Sequence, residues 1–295
     1  MKTSIIIPWF NNEDLVNKNL PSIVAAYKNN KNNIVEIVIV DDGSTDKSVD
    51  LIKSNYPEIK IIRHKINRGF ASAVNTGVRM AKGDMVCLIN SDVLPETNFL
   101  ESVYVHFKNP MLFAVSLNED GSFGWAKGFF KNGFIGHEPG GKGYTVHSTF
   151  WVSGGSGIFR RKIWMDLGGM DEKLFSPFYW EDIDLSYRAM KRGYKLLWDP
   201  NAKVEHKHET TMNKLSRNYV NNIRERNQLL FTWKNLGSPN LLRKSIAGVF
   251  KRLVAHPGYF RIVFMALIKI GPLLKARLKE KKETKVSDET IFSKF

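Results

Sequence analysis

The chain has 295 residues, 43% of them hydrophobic, a single cysteine, and a formal net charge of +15. That size and apolar content suffice for one large domain, or a domain with an appendage, and exclude disorder as the default state. The charge asks for anionic company, whether nucleic acid, anionic membrane or phosphorylated substrate, without choosing among them. The lone Cys87, inside the apolar run MVCLIN, excludes an internal disulfide and fits a small core residue in a reducing compartment.

At the N-terminus, MKTSIIIPWFNN offers an apolar stretch too short for the core of a signal peptide, so a cytoplasmic location is expected. The runs SIIIP, VEIVIVDD, IKIIRH and DMVCLINSD are short and rich in isoleucine and valine, as strands buried on both faces of a parallel sheet are. Segments of helical length separate them: DLVNKNLPSIVAAYKNN, DKSVDLIKSNY, and FASAVNTGVRMAKGD, which ends at Lys82-Gly83. This alternation predicts an α/β fold with right-handed crossovers and a doubly wound, mostly parallel sheet carrying helices on both faces.

From about 117 to 157 the chain is rich in glycine and aromatics and reads as loops and hairpins. A helix over about 160–167 follows, then a turn at Gly168-Gly169, a helix over about 183–192, a short strand KLLWDP, and a helix over about 212–235. Beyond Pro239 the composition becomes basic and amphipathic, which places a boundary near 236. Residues 1–235 then form one domain and 236–295 an extension. The extension reads either as interfacial helices on an anionic membrane or as helices docked on the domain with a solvated basic face. Its end, after Lys279, is expected to be flexible. No run reaches the roughly 18 uninterrupted apolar residues of a spanning helix. The best candidate, GYFRIVFMALIKIGPLL, is broken by Arg261, Lys269 and Pro272.

Acidic residues recur where apolar runs end: Asp41 and Asp42, then Asp92, then Glu181 and Asp182, with His206 following. Open α/β folds build their sites on that rim of the sheet. In VIVDDGSTD the turn after the carboxylates could seat a base and ribose, although Asp42, Ser44 or Asp46 could equally cap the next helix. In LINSDV, Asn90 and Asp92 share one side of an extended segment. They could ligate a hard cation, Mg²⁺ or Mn²⁺, with phosphates filling the other positions, or Asp92 could cap a helix starting near Pro95. Glu181 and Asp182 stand at the mouth of an amphipathic helix beside Phe178, Tyr179 and Trp180, aromatic faces that suit a sugar but also suit a core. Asp184 belongs to that helix's first turn. His206 and His208 both offer an imidazole to the same ion. Gly154 and Gly155 permit close backbone approach to a sugar or acceptor, or simply form a tight turn.

The ordered series IIIPWFNN, IVIVDDGSTD, NRGFASAVNTGVRMAKGD, LINSDV, VSGGSGIFRRKIW, GGMDEKLF, YWEDIDLSYRAMKRGY and VEH resembles the inverting glycosyltransferases of family 2, with the GT-A fold, over residues 3 to 235. It looks most like the branch of rhamnosyl- and galactofuranosyltransferases of surface polysaccharides. The resemblance implies a nucleotide-sugar donor held by Pro8, Phe10, Asp41, Gly69, Asn90 and Asp92, and a glycan or lipid-linked acceptor near Gly154, Gly155, Trp180 and Glu181. It implies Asp182 as the catalytic base and a divalent metal on Asp92 and His206. Asn90 stands where the family's metal motif often has its first aspartate, leaving one fewer charge on the ion. His206 follows Asp182 by 24 positions, a spacing similar to that of galactofuranosyl relatives, which favours it over His208. The family's processive signature, Gln-x-x-Arg-Trp, has only NQLLFTW as counterpart, so single or few additions are expected. The location implied is peripheral on the inner face of the plasma membrane, with no nucleic-acid partner. Rival readings are a degenerate scaffold, a polyanion binder, or a nucleotidyltransferase, whose glycine- and arginine-rich phosphate loop PWFNNEDLVNK lacks.

Overall fold

The computed structural model describes residues 1–119, 124–141, 143–206 and 216–295. His208, part of the glycine-rich segment and the first four residues of the helix expected over 212–235 lie outside them. In chain order the elements are β1 (Thr3–Trp9), α1 (Glu13–Lys28), β2 (Ile34–Asp41), α2 (Ser48–Asn55), β3 (Lys60–Arg63), α3 (Phe70–Met80), β4 (Met85–Ile89), β5 (Val93–Pro95) and β6 (Leu112–Glu119). Then come β7 (Trp125–Lys131), β8 (Phe134–Gly141), β9 (His147–Ser148), β10 (Ser156–Arg160), α4 (Arg161–Leu167), α5 (Glu181–Lys191) and β11 (Lys195–His206). The chain closes with α6 (Arg217–Asn235), α7 (Pro239–Ala255), α8 (Phe260–Leu267), α9 (Ile270–Glu283) and α10 (Asp288–Phe292).

The main sheet runs β3-β2-β1-β4-β10-β6-β11-β5, with β9 on β11, and β7-β8 forms a separate hairpin. Strands β3, β2, β1 and β4 are parallel, as their Ile/Val runs predict. Their side chains alternate between two cores: Ile5 and Ile7 join one, Ile6 the other, and Ile37 and Ile39 separate likewise from Val38 and Val40. Burial on both faces is what lets such strands be apolar at every position, each full burial contributing roughly 1.5–3 kcal/mol. Cys87 is buried in the same layer.

Strand β10 runs antiparallel between β4 and β6, and β6 and β11 are parallel to one another. The strand expected as KLLWDP continues for six more residues to His206, pairing with β5 at its far end. No helix starts near Pro95: the chain after Asp92 enters β5, so the capping alternative for Asp92 falls.

The C-terminal helices fold back on the preceding part of the chain, α8 and α9 packing on α6. The end of the chain departs from the expected flexible tail. Asp288 is 1% exposed and accepts hydrogen bonds from Tyr187 Oη at 2.7 Å, Lys191 Nζ at 2.6 Å and the amides of Gly237 and Ser238. Phe295 meets Phe150 with ring centroids 5.6 Å apart. Composition predicts flexibility here because it averages over charged neighbours, whereas one buried carboxylate and a few apolar residues dock the segment.

Candidate functional site

The ends of β1, β2, β4 and α5, with the loops before β10 and α5, enclose a cleft of about 410 Å³. Pro8, Phe10, Asp42, Gly69, Asn90, Asp92, Gly155, Glu181 and Asp182 line it, joined by Asn67, Phe178 and Tyr179. The sequence-separated acids therefore do meet on one rim of the sheet. The expected donor residues Pro8, Phe10, Gly69, Asn90 and Asp92 all reach it.

Asp41, Gly154 and Trp180 do not line it. Asp41 is fully buried under the β2 end, its carboxylate 3.0 Å from Arg63 Nε and accepting from the Ser44 amide at 3.0 Å. It braces the turn after β2, whereas its neighbour Asp42 reaches the cleft. Asp42 accepts from the Arg68 and Gly69 amides and pairs with His64 Nδ1 at 2.6 Å, so it shapes the backbone leading into α3 and caps nothing in α2. Asp46 does serve local helix starts, accepting from the amides of Ser48 and Glu13. Trp180 is 6% exposed and packs on Phe231 at 5.1 Å and edge-on to His137 at 5.8 Å. Tyr179 and Trp180 both have positive φ, +71° and +78°. Such backbone costs roughly 1–3 kcal/mol per residue unless its surroundings enforce it, and here it swings Trp180 into the core while Tyr179 stays in the cleft.

The enforcing groups come from α6. Asn227 Nδ2 donates to the carbonyls of Phe175, Phe178 and Tyr179 at 2.8–2.9 Å, and Arg226 Nη2 donates to Ser176 O at 2.6 Å. Nothing in the sequence flags Asn227, one of many polar residues in α6.

Asp182 is gripped by two amides, Gly154 N to Oδ2 at 3.1 Å and Ile183 N to Oδ1 at 2.8 Å. Gly154 thus holds the acid from behind. Gly155 does line the cleft, and a Cβ there would fall 2.4 Å from Asn90 Nδ2, so only glycine permits the approach. Burial raises the Asp182 carboxyl above its ordinary range, a rise the amides temper. Burial, and then the charge of Asp182, push Glu181 well above its own. Glu181 Oε2 and Asn90 Oδ1 are buried acceptors without a hydrogen-bond partner among the described residues.

Strand register assembles the other cluster. His206 pairs with Val93, next to Asp92, and Glu119 lies opposite Val204. His206 Nε2 is 3.3 Å from Asp92 Oδ1, and Nδ1 is 3.2 Å from Glu119 Oε2. Burial works against the imidazolium, but the two carboxylates outweigh it and push its pKa up to about 9. Glu119 is a site residue that sequence reading missed, one of two adjacent acids, Glu119 and Asp120, at the edge of a segment read as loop. Among the described residues no three His, Cys, Asp or Glu form a ready-made metal cage. Asp92 and His206 nonetheless suit a divalent ion: neighbouring ligands in an octahedral shell with ~2.1 Å bonds stand ~3 Å apart. An ion there would complete its shell from substrate oxygens and water.

The model for "Glycosyl transferase family 2" matches residues 4–168, more than half of the chain. The pre-mycofactocin glycosyltransferase of Mycobacterium tuberculosis H37Rv is 28% identical over 187 residues, covering 60% of this chain and 38% of that protein. The chain spans about half or less of the length of that relative and of a Bacillus subtilis probable glycosyltransferase, YdaM. Among solved structures, the mannosyltransferase PcManGT of Pyrobaculum calidifontis, in complex with GDP-Man and Mn2+, superposes with a TM-score of 0.58 at 16% identity, covering 95% of this chain and 87% of that one. S. aureus TarS 1–349 in complex with UDP-GlcNAc gives 0.60 at 16% identity, covering 96% and 84%. At such identities the two structures speak for the fold alone, a GT-A-like α/β architecture; this chain carries a C-terminal helical extension with it.

Proposed function

The chain belongs to glycosyl transferase family 2, and we propose that it is an inverting, metal-dependent hexosyl- or deoxyhexosyltransferase. It moves a sugar from a nucleoside diphosphate to a hydroxyl of a glycan or lipid-linked acceptor in cell-surface polysaccharide synthesis. The observation that carries the reading is that one cleft holds both Asp182 and the Asn90–Asp92 edge, a proton acceptor beside a place for a diphosphate. The finer kinship with rhamnosyl- and galactofuranosyltransferases rests on the interval between Asp182 and His206.

Asp182 accepts the proton of the acceptor hydroxyl as that oxygen bonds to the anomeric carbon. The bond from that carbon to the diphosphate breaks on the opposite face, the electron pair leaves with the diphosphate, and the configuration inverts. A carboxyl raised toward neutrality by burial is suited to such a step, worth ~10²–10⁴ in rate. The Gly154 and Ile183 amides fix its plane. Asp92 and His206 would hold a divalent ion, whose contribution when bound is to neutralise charge on the diphosphate. Pro8 and Phe10 flank the nucleotide, Gly69 brings the α3 N-terminus to it, and Asp41 acts through the turn it braces. Glu181 and Asn90 offer unfilled acceptors to sugar hydroxyls, and Phe178 and Tyr179 offer an apolar lip.

Thermal melts of the full chain with UDP, GDP, dTDP and CMP, each with and without Mn²⁺ or Mg²⁺, test this. Native-state binding at about 100 times Kd stabilises by about 2.7 kcal/mol. The expected result is a rise with one nucleotide that needs the metal. No rise with any of them removes the donor site and returns weight to a scaffold or polyanion binder.

A further inference from the structure

Half of the large apolar side chains exposed among the described residues fall between 246 and 278. They are not scattered. On α7, Ile246, Phe250 and Val254 recur every four residues, opposite the buried Leu241 and Ser245. On α8, Phe260, Phe264 and Leu267, at intervals of four and three, share the face opposite Ile262 and Ala266. On α9, Ile270, Leu274 and Leu278 form a third stripe opposite Leu273 and Glu280. Phe250 and Phe260 are 69% and 67% exposed, figures a folded surface seldom leaves to water in such density.

The charge of the same segment selects the occupant. Residues 236–295 hold thirteen Lys and Arg against four Asp and Glu, so a fifth of the chain carries +9 of its +15. Arg243, Lys244, Lys251, Arg261 and Lys275 are exposed among the stripes. A second copy of the chain would bring the same positive charge to a self-complementary contact. A nucleic acid would meet the cations and leave the apolar stripes in water. An anionic lipid surface satisfies both at once. Among the described residues no single helix is long and apolar enough to cross a membrane; α8 with its preceding turn and α9 meet at a 71° bend.

We propose that α7, α8 and α9 form an interfacial docking face for an anionic lipid bilayer, which they enter as amphipathic helices lying in its plane. The face is fastened to the cleft. At the α8–α9 bend, Lys269 Nζ donates to the carbonyls of Lys173 and Leu174, each at 2.8 Å. Those residues lead directly into the 175–180 segment that carries Phe178 and Tyr179 to the cleft. Docking therefore sets the aromatic lip near the lipid surface, where a hydroxyl on a lipid-linked substrate would arrive. The docking face stands whether or not the proposed transfer does, since none of its stripe residues lines the cleft.

The test is co-sedimentation of the full chain with vesicles of phosphatidylcholine alone and of equal parts phosphatidylcholine and phosphatidylglycerol, with light scattering and thermal melts alongside. Binding to the anionic vesicles only, weakened by salt, is expected. The variant F250S/F264S/L274S, altered only at exposed positions, should melt like the parent and lose at least ~tenfold in partitioning. K244E/K251E/K275E should lose binding to the anionic vesicles in the same assay. Three results overturn the proposal: no binding to anionic vesicles; binding that the apolar substitutions leave unchanged, which makes the surface a plain polyanion site; or a dimer that F250S/F264S/L274S converts to monomer without vesicle binding, which makes the occupant a second copy. Nucleotide-dependent melting, measured on the same preparations, tells failure of docking from failure of the donor site.

Discussion

Two acids in the first turn of α5 have opposite lives. Glu181 faces the cleft with a buried oxygen that has no hydrogen-bond partner among the described residues, and its carboxyl is pushed well above the ordinary range by burial and by Asp182. Asp184, 0% exposed, is met by Arg188 Nε at 2.7 Å, Lys234 Nζ at 2.8 Å and Asn235 Nδ2 at 2.9 Å. Burial alone would raise it too, but the Lys234 and Arg188 charges hold it below its usual value. One turn of helix thus separates an acid kept poised for substrate from an acid spent on joining α5 to α6. Desolvation is common to both, and the presence of partners decides which way each carboxyl titrates.

The contrast is broken most severely at Asp182, which shares the cleft with Glu181. Asp182→Asn should lower transfer by ~10²–10⁴ while nucleotide-dependent melting persists, as read by donor turnover and melts on one preparation. Unchanged transfer would remove Asp182 as the base. Asp184→Ala should show the opposite pattern. It removes the carboxylate shared by Arg188 and Lys234, each nine-tenths or more buried, leaving Lys234 with Asp171 and Arg188 with the Leu167 and Gly169 carbonyls; breaking such a cluster costs ~3–5 kcal/mol, measured by chemical unfolding. Asp184→Ala that folds with parental stability would show that the network does not tie α5 to α6. Between these stands Asn227→Ala, which frees the Phe175, Phe178 and Tyr179 carbonyls at ~1–3 kcal/mol and relaxes the strained 179–180 turn. Its expected mark is a raised KM with the pH dependence of turnover unmoved, since it positions the lip without touching the reacting atoms.

What the sequence made legible follows the same division. Strands β1, β2 and β4 announce themselves because burial on both faces favours apolar residues at nearly every position, and the acids after β2 and β4 mark the rim. Strand β10 is hidden: Ser156–Arg160 enters through a glycine run whose composition signals loop, and its pairing between β4 and β6 is a tertiary fact. Trp180, which the sequence leaves between a sugar face and the core, goes to the core for a related reason, since the positive φ that turns it inward is held by Asn227, 47 positions away. Asp288 escapes because an acid in a densely charged segment looks solvated until Lys191 and Tyr187 are seen around it. In each case the missing information is a partner distant in sequence. Asp92, Asp182 and His206 stand out in the sequence because their order along the chain resembles a family pattern; the structure puts Asp92 and Asp182 in one cleft, and the strand register brings Asp92 and His206 together.

The finest test of the comparison is Glu181→Gln, which removes a charge and keeps the shape. Because the folded carboxyl lies above its unfolded value, the unfolded chain ionises first as pH rises. Over that window the unfolded state binds fewer protons than the native one, so stability falls with rising pH. The native penalty is absent below the unfolded Glu range near 4.3 and fully developed once the folded group has ionised. Glutamine carries no such penalty. Glu181→Gln should therefore melt higher than the parent at neutral and mildly alkaline pH, with the gap closing as pH falls toward 4, while Asp184→Asn shows the reverse sign at neutral pH. A gap of constant size across that range would mean the gain comes from packing or a new amide hydrogen bond, and that Glu181 is not held against its charge. A gap that closes would show that this turn keeps one acid at a cost to stability, as a site that must receive a hydroxyl does.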